Sequence, residues 1–269
     1  MTQTVAIAGL GAIGMKTARE IDAGALPGLT LAAVSARDRG RAADRVADFN
    51  APPAVVAVEE LARHADIVIE CAPKSIFEPL ARSVIEAGRI FMPLSVGALL
   101  DHMDLVDRAR ETGARILVPT GAIIGLDTVR AMAVEEIHEV TLQTRKPPKG
   151  LEGAPYLVEN EIDVLALTKA ERVFAGTARE AARGFPANVN VAAALSLAGI
   201  GPDRTMVEVW ADPGIDRNMQ SVKIRASSGE AEMTIFNVPS QENPRTGRIT
   251  ALSVIAYLRR LTDPLVVGT

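Results

Sequence analysis

The chain of 269 residues contains few of the residues on which several classes of protein depend. It has three histidines and one cysteine, and aromatic residues make up 3% of it. The single cysteine, Cys71, excludes an internal disulfide and is typical of a reducing compartment. With few aromatic rings and 33 acidic against 29 basic residues, the sequence lacks the stacking platforms and the positive footprint of nucleic-acid-binding proteins.

Long hydrophobic runs are also missing. No uncharged apolar stretch reaches the roughly 18 residues that a membrane-spanning helix needs. The first residues, Met1 to Val5, have neither the basic region nor the apolar run of a signal peptide, so we expect a cytoplasmic protein without membrane contact. Hydrophobic residues nevertheless make up 48% of the chain, enough for one large or two modest domains with an aliphatic core.

The first half of the chain alternates short apolar runs with amphipathic segments. The predicted strands are 5–8, 29–34, 55–58, 66–70, 90–94 and 115–118. The predicted helices are 15–23, 37–49, 59–63, 75–87 and 99–112. Strands and helices that alternate through short connections are typical of a doubly wound parallel sheet, so we predict an α/β fold.

The second half has a different pattern, in which apolar and polar residues alternate along several segments. The predicted strands are 139–144, 205–210, 220–226 and 230–238, and the predicted helices are 178–183, 188–198 and 248–261. This pattern favours a second α/β (α+β) domain with a mostly antiparallel or mixed sheet. We therefore predict a first domain over 1–123, a second over 124–240, and a C-terminal segment, 241–269, that packs back on the first.

A glycine-rich loop follows the first predicted strand directly and precedes a helix. Gly9, Gly11 and Gly14 form the pattern G-x-G-x-x-G, with Ala12 and Ile13 between the last two glycines. The first glycine permits a tight turn, the second lets the backbone approach a pyrophosphate, and the third allows close packing of helix on strand. The placement between strand and helix predicts a dinucleotide site made by these five residues.

The end of the second predicted strand bears on which dinucleotide is bound. NAD sites usually place a carboxylate there to bind the ribose 2′-hydroxyl, whereas this chain has Ser35 and Arg37. A guanidinium suits a 2′-phosphate, so NADP is favoured over NAD. Asp38 leaves NAD open, and Arg37 could equally begin a solvated helix face.

Further motifs lie outside the glycine loop. They are Leu94–Leu99, Pro119–Ile123, Gly125–Asp127, Arg145–Pro148, Asn188–Ala192, Ala211–Pro213 and Glu242–Thr246. In this order and spacing the chain resembles the L-aspartate dehydrogenase family over essentially its whole length. The resemblance implies an NAD(P)-dependent homodimer, built from a Rossmann domain and an α/β domain that forms the dimer sheet. Members interconvert L-aspartate and iminosuccinate, which can feed NAD biosynthesis.

The resemblance also implies roles for single residues. Ala122 and Asn190 are expected to contact the cofactor, and Ala72, after the strand that ends at Glu70, is a further candidate. Where the family has Asn-x-His, whose histidine is its presumed acid/base, this chain has Gln220 in the histidine position. A glutamine amide forms hydrogen bonds but cannot exchange a proton at useful pH.

Two residues are the candidates for the catalytic role in the absence of that histidine. Gln220 could orient a water or a carbonyl oxygen, and Glu70, at the end of a buried strand, could contact the nicotinamide or act as a base. Glu70 could equally be bonded to backbone amides. We expect His64, His102 and His138 on the surface.

The substrate of such a reaction is a small amino or oxo acid, whose carboxylates need polar or cationic partners. The candidates are Lys146, Asn188, Asn218 and Thr246. Lys146 could instead be a solvated turn residue before Pro147. Three functions stay open at this point: an aspartate dehydrogenase, a related dehydrogenase or imine reductase with another substrate, and an inactive dinucleotide-binding sensor.

Overall fold

The protein, described by a computed structural model over residues 2–186, 189–243 and 246–268, folds as two compact units. The first unit consists of Met1–Pro119 and Ala251–Val266, and the second of Thr120–Thr250 and Val267–Thr269. Residues 241–250, which we grouped with the C-terminal segment, thus belong to the second unit. Among the described helices, none is both long and apolar enough to cross a membrane.

The first unit is built around a six-stranded sheet. Its strands are β1 (Gln3–Ala8), β2 (Leu29–Ser35), β3 (Ala54–Val55), β4 (Ile67–Glu70), β5 (Ile90–Pro93) and β6 (Arg115–Ile116). Every pair is parallel, and the strand order is β3-β2-β1-β4-β5-β6. The order reverses between β1 and β4, which is the switch point where doubly wound sheets bind ligands. The predicted doubly wound parallel sheet is confirmed.

Helices connect the strands of the first unit. They are α1 (Ala12–Asp22), α2 (Arg39–Val46), α3 (Leu61–His64), α4 (Phe77–Glu86), α5 (Val96–Leu99) and α6 (Asp104–Thr112). The helix predicted over 99–112 was wrong in one respect, because α5 ends at Leu99 and a new helix begins at Asp104. The carboxylates of Asp104 and Asp107 lie in the first turn of α6, where they favour a helix N-terminus.

The second unit is built around a five-stranded sheet. Its strands are β7 (Ile137–Lys146), β8 (Glu171–Thr177), β9 (Thr205–Ala211), β10 (Met219–Ala226) and β11 (Gly229–Phe236), in the order β11-β10-β7-β9-β8. The pair β7 and β9 is parallel and the other pairs are antiparallel, so the predicted mixed sheet is confirmed. The sequence did not predict β8, because a register shift between Arg172 and Phe174 interrupts its alternation.

The helices that follow are α7 (Leu126–Met132), α8 (Pro155–Glu159), α9 (Ala178–Gly184), α10 (Asn190–Ala198) and α11 (Arg248–Thr262). Helices α9 and α10 contact one face of the second sheet, and that face is apolar over most of its length. Helix α11 buries Val254 and Leu258 in the core of the first unit, beside Ile7 of β1 and Ile69 of β4.

Candidate active site

The glycine loop connects β1 to α1 in the first unit. Gly9 has a φ of +95°, a left-handed conformation that a side chain would strain, and its amide donates to the Ser35 carbonyl at 2.7 Å. Gly11 is the N-cap of α1, which begins at Ala12. Since the amides at a helix N-terminus have no partners within the helix, this end of α1 favours an anion.

The surroundings of the three glycines fit a dinucleotide. A Cβ on Gly9 would lie 2.4 Å from the Cys71 carbonyl oxygen, and one on Gly14 would lie 2.0 Å from the Gly9 carbonyl oxygen. A Cβ on Gly11 would meet nothing within 4 Å. Packing therefore requires glycine at positions 9 and 14. Gly11 instead leaves open space beside the backbone, which a pyrophosphate needs in order to approach closely.

The end of β2 places the predicted ribose contacts next to this loop. Ser35 is buried, whereas Arg37 is exposed. Asp38 caps α2 by accepting a hydrogen bond from the Arg41 amide at 2.9 Å. Arg45 of the same helix donates to the Leu10 carbonyl in the glycine loop. The Asp38 carboxylate is thus engaged at the helix cap, and Arg37 is the exposed cation at the strand end.

Glu70 lies at the end of β4, fully buried. Its carboxylate accepts from the amides of Ala72 and Ser95, both at 2.9 Å, and from the Ser95 hydroxyl at 3.0 Å. Desolvation raises the pKa of this carboxyl, and the four hydrogen bonds to Ser95, Ala72 and Leu94 oppose that rise. Of the two roles open for Glu70, the structure has the carboxylate bonded to backbone amides, where it holds the loops after β4 and β5.

Cys71 and Ala72 form the loop that Glu70 holds. The Cys71 amide donates to the Ala8 carbonyl at 2.8 Å, which keeps this loop against the end of β1. Desolvation, together with the Glu70 carboxylate, raises the pKa of the Cys71 thiol. A thiol with a raised pKa is a poor nucleophile at neutral pH, which agrees with a packing role for this residue.

The helix-covered face of the second sheet changes character along β7. Val140 and Leu142 are apolar and buried, whereas Thr144 and Lys146, further along the same face, are buried and polar. Gln220 of β10 pairs with Thr144 in the antiparallel register, so its side chain lies on the same face. The buried polar side chains of β7 and β10 therefore lie next to each other at one end of the sheet.

Asn237 completes this group, which we call the polar cluster: Thr144, Lys146, Gln220 and Asn237. The side-chain amide of Asn237 donates to Gln220 Oε1 and, at 3.0 Å, to the backbone carbonyl of Ala122. Gln220 Nε2 in turn donates to Thr144 Oγ1 at 3.5 Å. The buried Oδ1 of Asn237 has no hydrogen-bond partner among the described residues. The cluster thus links the catalytic candidate Gln220 to Ala122, a cofactor candidate.

Lys146 is the basic member of the polar cluster. It is the last residue of β7, and only 6% of its surface is exposed. Burial lowers the pKa of its ammonium group to about 8. The alternative of a solvated turn residue was wrong, because β7 extends two residues beyond the predicted end and buries this side chain.

The remaining predicted substrate and cofactor residues lie in loops and at a helix start. Asn190 is the first residue of α10 and is exposed. The backbone carbonyl of Asn218 accepts from the backbone amide of Asn237 at 2.8 Å, which places Asn218 beside the polar cluster. Thr246 accepts from Asn243 Nδ2 at 3.2 Å. Asn188 lies outside the described residues.

None of the three histidines is a member of the polar cluster. His64 ends α3, and His102 stacks on Phe77 with the ring centroids 6.0 Å apart. His138 lies near the start of β7, at the opposite end from Lys146, and contacts Ser227 at 3.3 Å. None of the three takes the place of the residue at position 220.

Sequence reasoning did not single out Asn237, although a signal for it exists. Residues Ser227 and Ser228 form the turn between β10 and β11, since Ala226 pairs with Gly229. Counting pairs along the hairpin from this turn places Ile235 opposite Gln220 and Asn237 opposite Asn218. Asn237 therefore lies at the same end of the hairpin as Gln220. The count requires β10 and β11 to be recognised as one hairpin, which a Ser-Ser-Gly turn indicates only weakly.

The fold and the glycine loop define a class: dinucleotide-binding proteins with a Rossmann unit and a second unit built on a mixed sheet. Comparison of the sequence with models of protein families identifies a narrower group within this class. The model for "Homoserine dehydrogenase, NAD binding domain" matches residues 9–119, and the model for "Aspartate dehydrogenase, C-terminal" matches residues 127–261.

Individual relatives agree over nearly the whole chain. L-aspartate dehydrogenase of Bradyrhizobium diazoefficiens is 52% identical, with 98% of this chain and 94% of the relative covered. L-aspartate dehydrogenase 3 of Bordetella bronchiseptica is 51% identical, with 98% and 97% covered. The crystal structure of aspartate dehydrogenase from Thermotoga maritima shares the fold, with a TM-score of 0.74 at 24% identity over the whole of both chains. The chain belongs to the L-aspartate dehydrogenase family.

Proposed function

We propose that the protein is an NAD(P)-dependent L-aspartate dehydrogenase that interconverts aspartate and iminosuccinate. The observation that carries the proposal is the glycine loop at the switch point of the first sheet, in a chain that belongs to this family over 98% of its length. When bound, the nicotinamide accepts or supplies a hydride at the substrate Cα, which is chemistry that the cofactor itself provides.

The residues of the chain divide the remaining work. Gly9, Gly11 and Gly14, with the N-terminus of α1, are proposed to hold the pyrophosphate. Lys146, Asn218 and Thr246 are proposed to bind the substrate carboxylates through hydrogen bonds that their side chains donate. Gln220, whose amide is fixed by Asn237 and Thr144, is proposed to orient the substrate nitrogen or the hydrolytic water.

NAD(P)H oxidation with oxaloacetate and ammonia tests this function, beside a panel of other oxo acids and aldehydes. We expect turnover that requires ammonia and is highest with oxaloacetate. Turnover with another carbonyl substrate but not with oxaloacetate would favour a related dehydrogenase or imine reductase. Tight NADPH binding with no turnover of any substrate would favour the sensor.

We further propose that NADP is preferred over NAD. The preference rests on Arg37, the exposed cation after β2, and on the engagement of Asp38 at the cap of α2. A carboxylate that already accepts a backbone hydrogen bond is a weaker partner for a ribose 2′-hydroxyl. A guanidinium beside it can pair with a 2′-phosphate through two hydrogen bonds.

The variant Arg37→Ala tests this preference. We expect the ratio of kcat/KM for NADPH to that for NADH to fall about tenfold, since one charge-assisted contact is worth about 1.4 kcal/mol or more. Arg19→Ala, a change of another exposed arginine in the last turn of α1, is the matched control and should leave the ratio unchanged. An unaltered ratio in Arg37→Ala would contradict the assignment.

A homodimer is proposed to form through the face of the second sheet that α9 and α10 do not cover. This face carries the exposed side chains of Met206 on β9 and Phe236 on β11. It also carries Trp210, whose ring lies against Arg145 with the guanidinium carbon 5.2 Å from the ring centroid. A sheet with one open, partly apolar face gains by covering it with a second copy. A mass of 28.4 kDa in solution would contradict the dimer.

We propose that the enzyme acts in the cytoplasm. The support is the single cysteine, Cys71, whose thiol has a raised pKa and cannot form a disulfide within the chain. The reducing conditions of the cytoplasm suit such a residue, and the nicotinamide cofactors are available there.

A further inference from the structure

We propose that Lys146 exchanges protons with the substrate nitrogen and the hydrolytic water, and so supplies the acid/base chemistry that Gln220 cannot. This inference rests on the proposed aspartate dehydrogenase function. It gives Lys146 a catalytic role beyond the binding of a carboxylate.

The position of Lys146 on the sheet carries the argument. Gln220 pairs with Thr144, and Lys146 lies two residues further along β7 on the same face. Diagonal neighbours of this kind have Cα atoms about 7–8 Å apart, within reach of a lysine side chain. The amine of Lys146 therefore belongs to the same buried patch as the amide that occupies the family's histidine position.

The other members of the patch cannot exchange protons near neutral pH. Thr144, Gln220 and Asn237 carry hydroxyl or amide groups, and neither ionises in the working range. In the described part of the second unit, the buried charged residues are Lys146 and Asp212. By its chemistry, Lys146 is the proton-exchanging member of the polar cluster.

Three other charged side chains lie near this end of the sheet, those of Asp212, Arg145 and Lys149, and each is engaged elsewhere, directed to the other face or exposed. Asp212, which follows β9, accepts from Arg145 Nη1 at 3.2 Å and from the Gly214 amide at 2.8 Å. Arg145 points to the opposite face of β7, and Lys149, in the turn after the strand, is exposed. Beside Lys146, β9 presents the neutral Ala211.

Burial makes the amine suitable for this task. Desolvation lowers the pKa of Lys146 to about 8, so a substantial fraction is neutral at mildly alkaline pH. A base with a pKa near the working pH combines a useful neutral fraction with useful basicity. An exposed lysine with its ordinary pKa, about 10.4, would be almost fully protonated there.

The proton transfers balance as follows. In aspartate oxidation, the substrate ammonium first loses a proton to solvent, because only a neutral amine has the lone pair that expels a hydride. Loss of the Cα hydride from this amine then leaves a protonated imine. Water adds to its carbon while the Lys146 amine takes a proton from that water. The resulting ammonium of Lys146 then gives the proton to the nitrogen as the C–N bond breaks and ammonia leaves. The proton of the new hydroxyl group passes to solvent as the C=O bond of oxaloacetate forms.

The variant Lys146→Arg separates proton exchange from charge alone. Arginine keeps the positive charge and can bind a carboxylate, but its pKa is too high for it to act as a base. We expect kcat for aspartate oxidation at pH 9 to fall about 10²–10⁴-fold, with KM for aspartate changed only a few-fold. We also expect the rise of kcat through about pH 8 in the unmodified enzyme to be lost. Lys149→Arg, which changes an exposed lysine three residues on, is the matched control and should behave as the unmodified enzyme.

A second measurement does not depend on turnover. In protein labelled with ¹⁵N-lysine, the side-chain resonance that disappears in Lys146→Arg should titrate near pH 8. If Lys146→Arg does not fold, Lys146→Ala replaces it, and added methylamine should restore part of kcat without changing KM for aspartate.

The outcomes separate this inference from the proposed function. An unmodified enzyme without aspartate turnover would overturn both. Turnover by the unmodified enzyme, with Lys146→Arg raising KM but retaining kcat and its rise through pH 8, would overturn only the proton-exchange role. A Lys146 resonance that titrates near 10.4 would overturn that role as well.

Discussion

Replacing Gly11 by alanine is expected to weaken dinucleotide binding at least about 100-fold, a loss of about 2.7 kcal/mol, without changing the free energy of unfolding. Gly11 has a φ of −72°, which alanine adopts readily, and its Cβ would meet nothing within 4 Å. The methyl group would instead occupy the open space in which a pyrophosphate approaches the backbone. Fluorescence titration with NADPH measures the affinity, and urea denaturation measures the stability.

Two further glycine substitutions serve as controls for this prediction. Gly14→Ala places a Cβ 2.0 Å from the Gly9 carbonyl oxygen, so it should lower the free energy of unfolding by about 1–3 kcal/mol or more, together with the affinity. Gly40→Ala, in α2, places its Cβ 3.5 Å from the Asp38 carboxylate, an ordinary contact. It should lower neither the affinity for NADPH nor the free energy of unfolding. Full NADPH affinity in Gly11→Ala would show that the loop does not hold the pyrophosphate.

Adding Gln220→His to the Lys146→Arg variant is expected to raise kcat for aspartate oxidation by about 10²-fold or more at pH 7 to 8. Histidine has an ordinary pKa of about 6.5 and can take over the proton exchange that arginine cannot perform. The site already contains a donor for one ring nitrogen, because Asn237 Nδ2 donates to the side chain at position 220, which leaves the other ring nitrogen for proton exchange. Steady-state kcat across pH for the single and double variants measures the recovery.

The matched comparison is Gln220→Met in the same Lys146→Arg background. Methionine resembles glutamine in size but carries no exchangeable proton, so it should give no recovery. Recovery with methionine would show that packing at this position, and not proton transfer, limits the reaction. No recovery with histidine, in a variant that still binds NADPH, would place position 220 out of reach of the reacting groups.

The architecture of the first unit was predictable because its signals are local. Apolar runs such as that of β1 end at glycines or carboxylates, and the loop from Gly9 to Gly14 couples a strand to a helix within six residues. The division of the predicted helix 99–112 into α5 and α6 was not predictable, since both parts have helical composition and the break depends on how each packs. The unpredicted β8 has a comparable cause, because its bulge disguises the alternation.

The candidate site was only partly predictable, because its members come together through sheet register. Resemblance to a family led to Gln220 and Ala122, but the hydrogen bonds that link them pass through Asn237, which no motif singles out. The burial of Lys146 depends on the extension of β7 beyond its predicted end, and the side-chain contacts of Glu70 depend on the loop after β5. Such contacts join residues distant in sequence, where periodicity carries no information.

Transfer of deuterium from the reactive face of deuterated NADPH to product is the measurement that tests the central claim most directly. With oxaloacetate and ammonia, hydride transfer to the imine carbon predicts aspartate that carries one deuterium at Cα, detected by mass spectrometry. The control reaction without ammonia should give no deuterated product. Deuterated malate, formed by reduction of the ketone itself, or unlabelled aspartate would contradict the account.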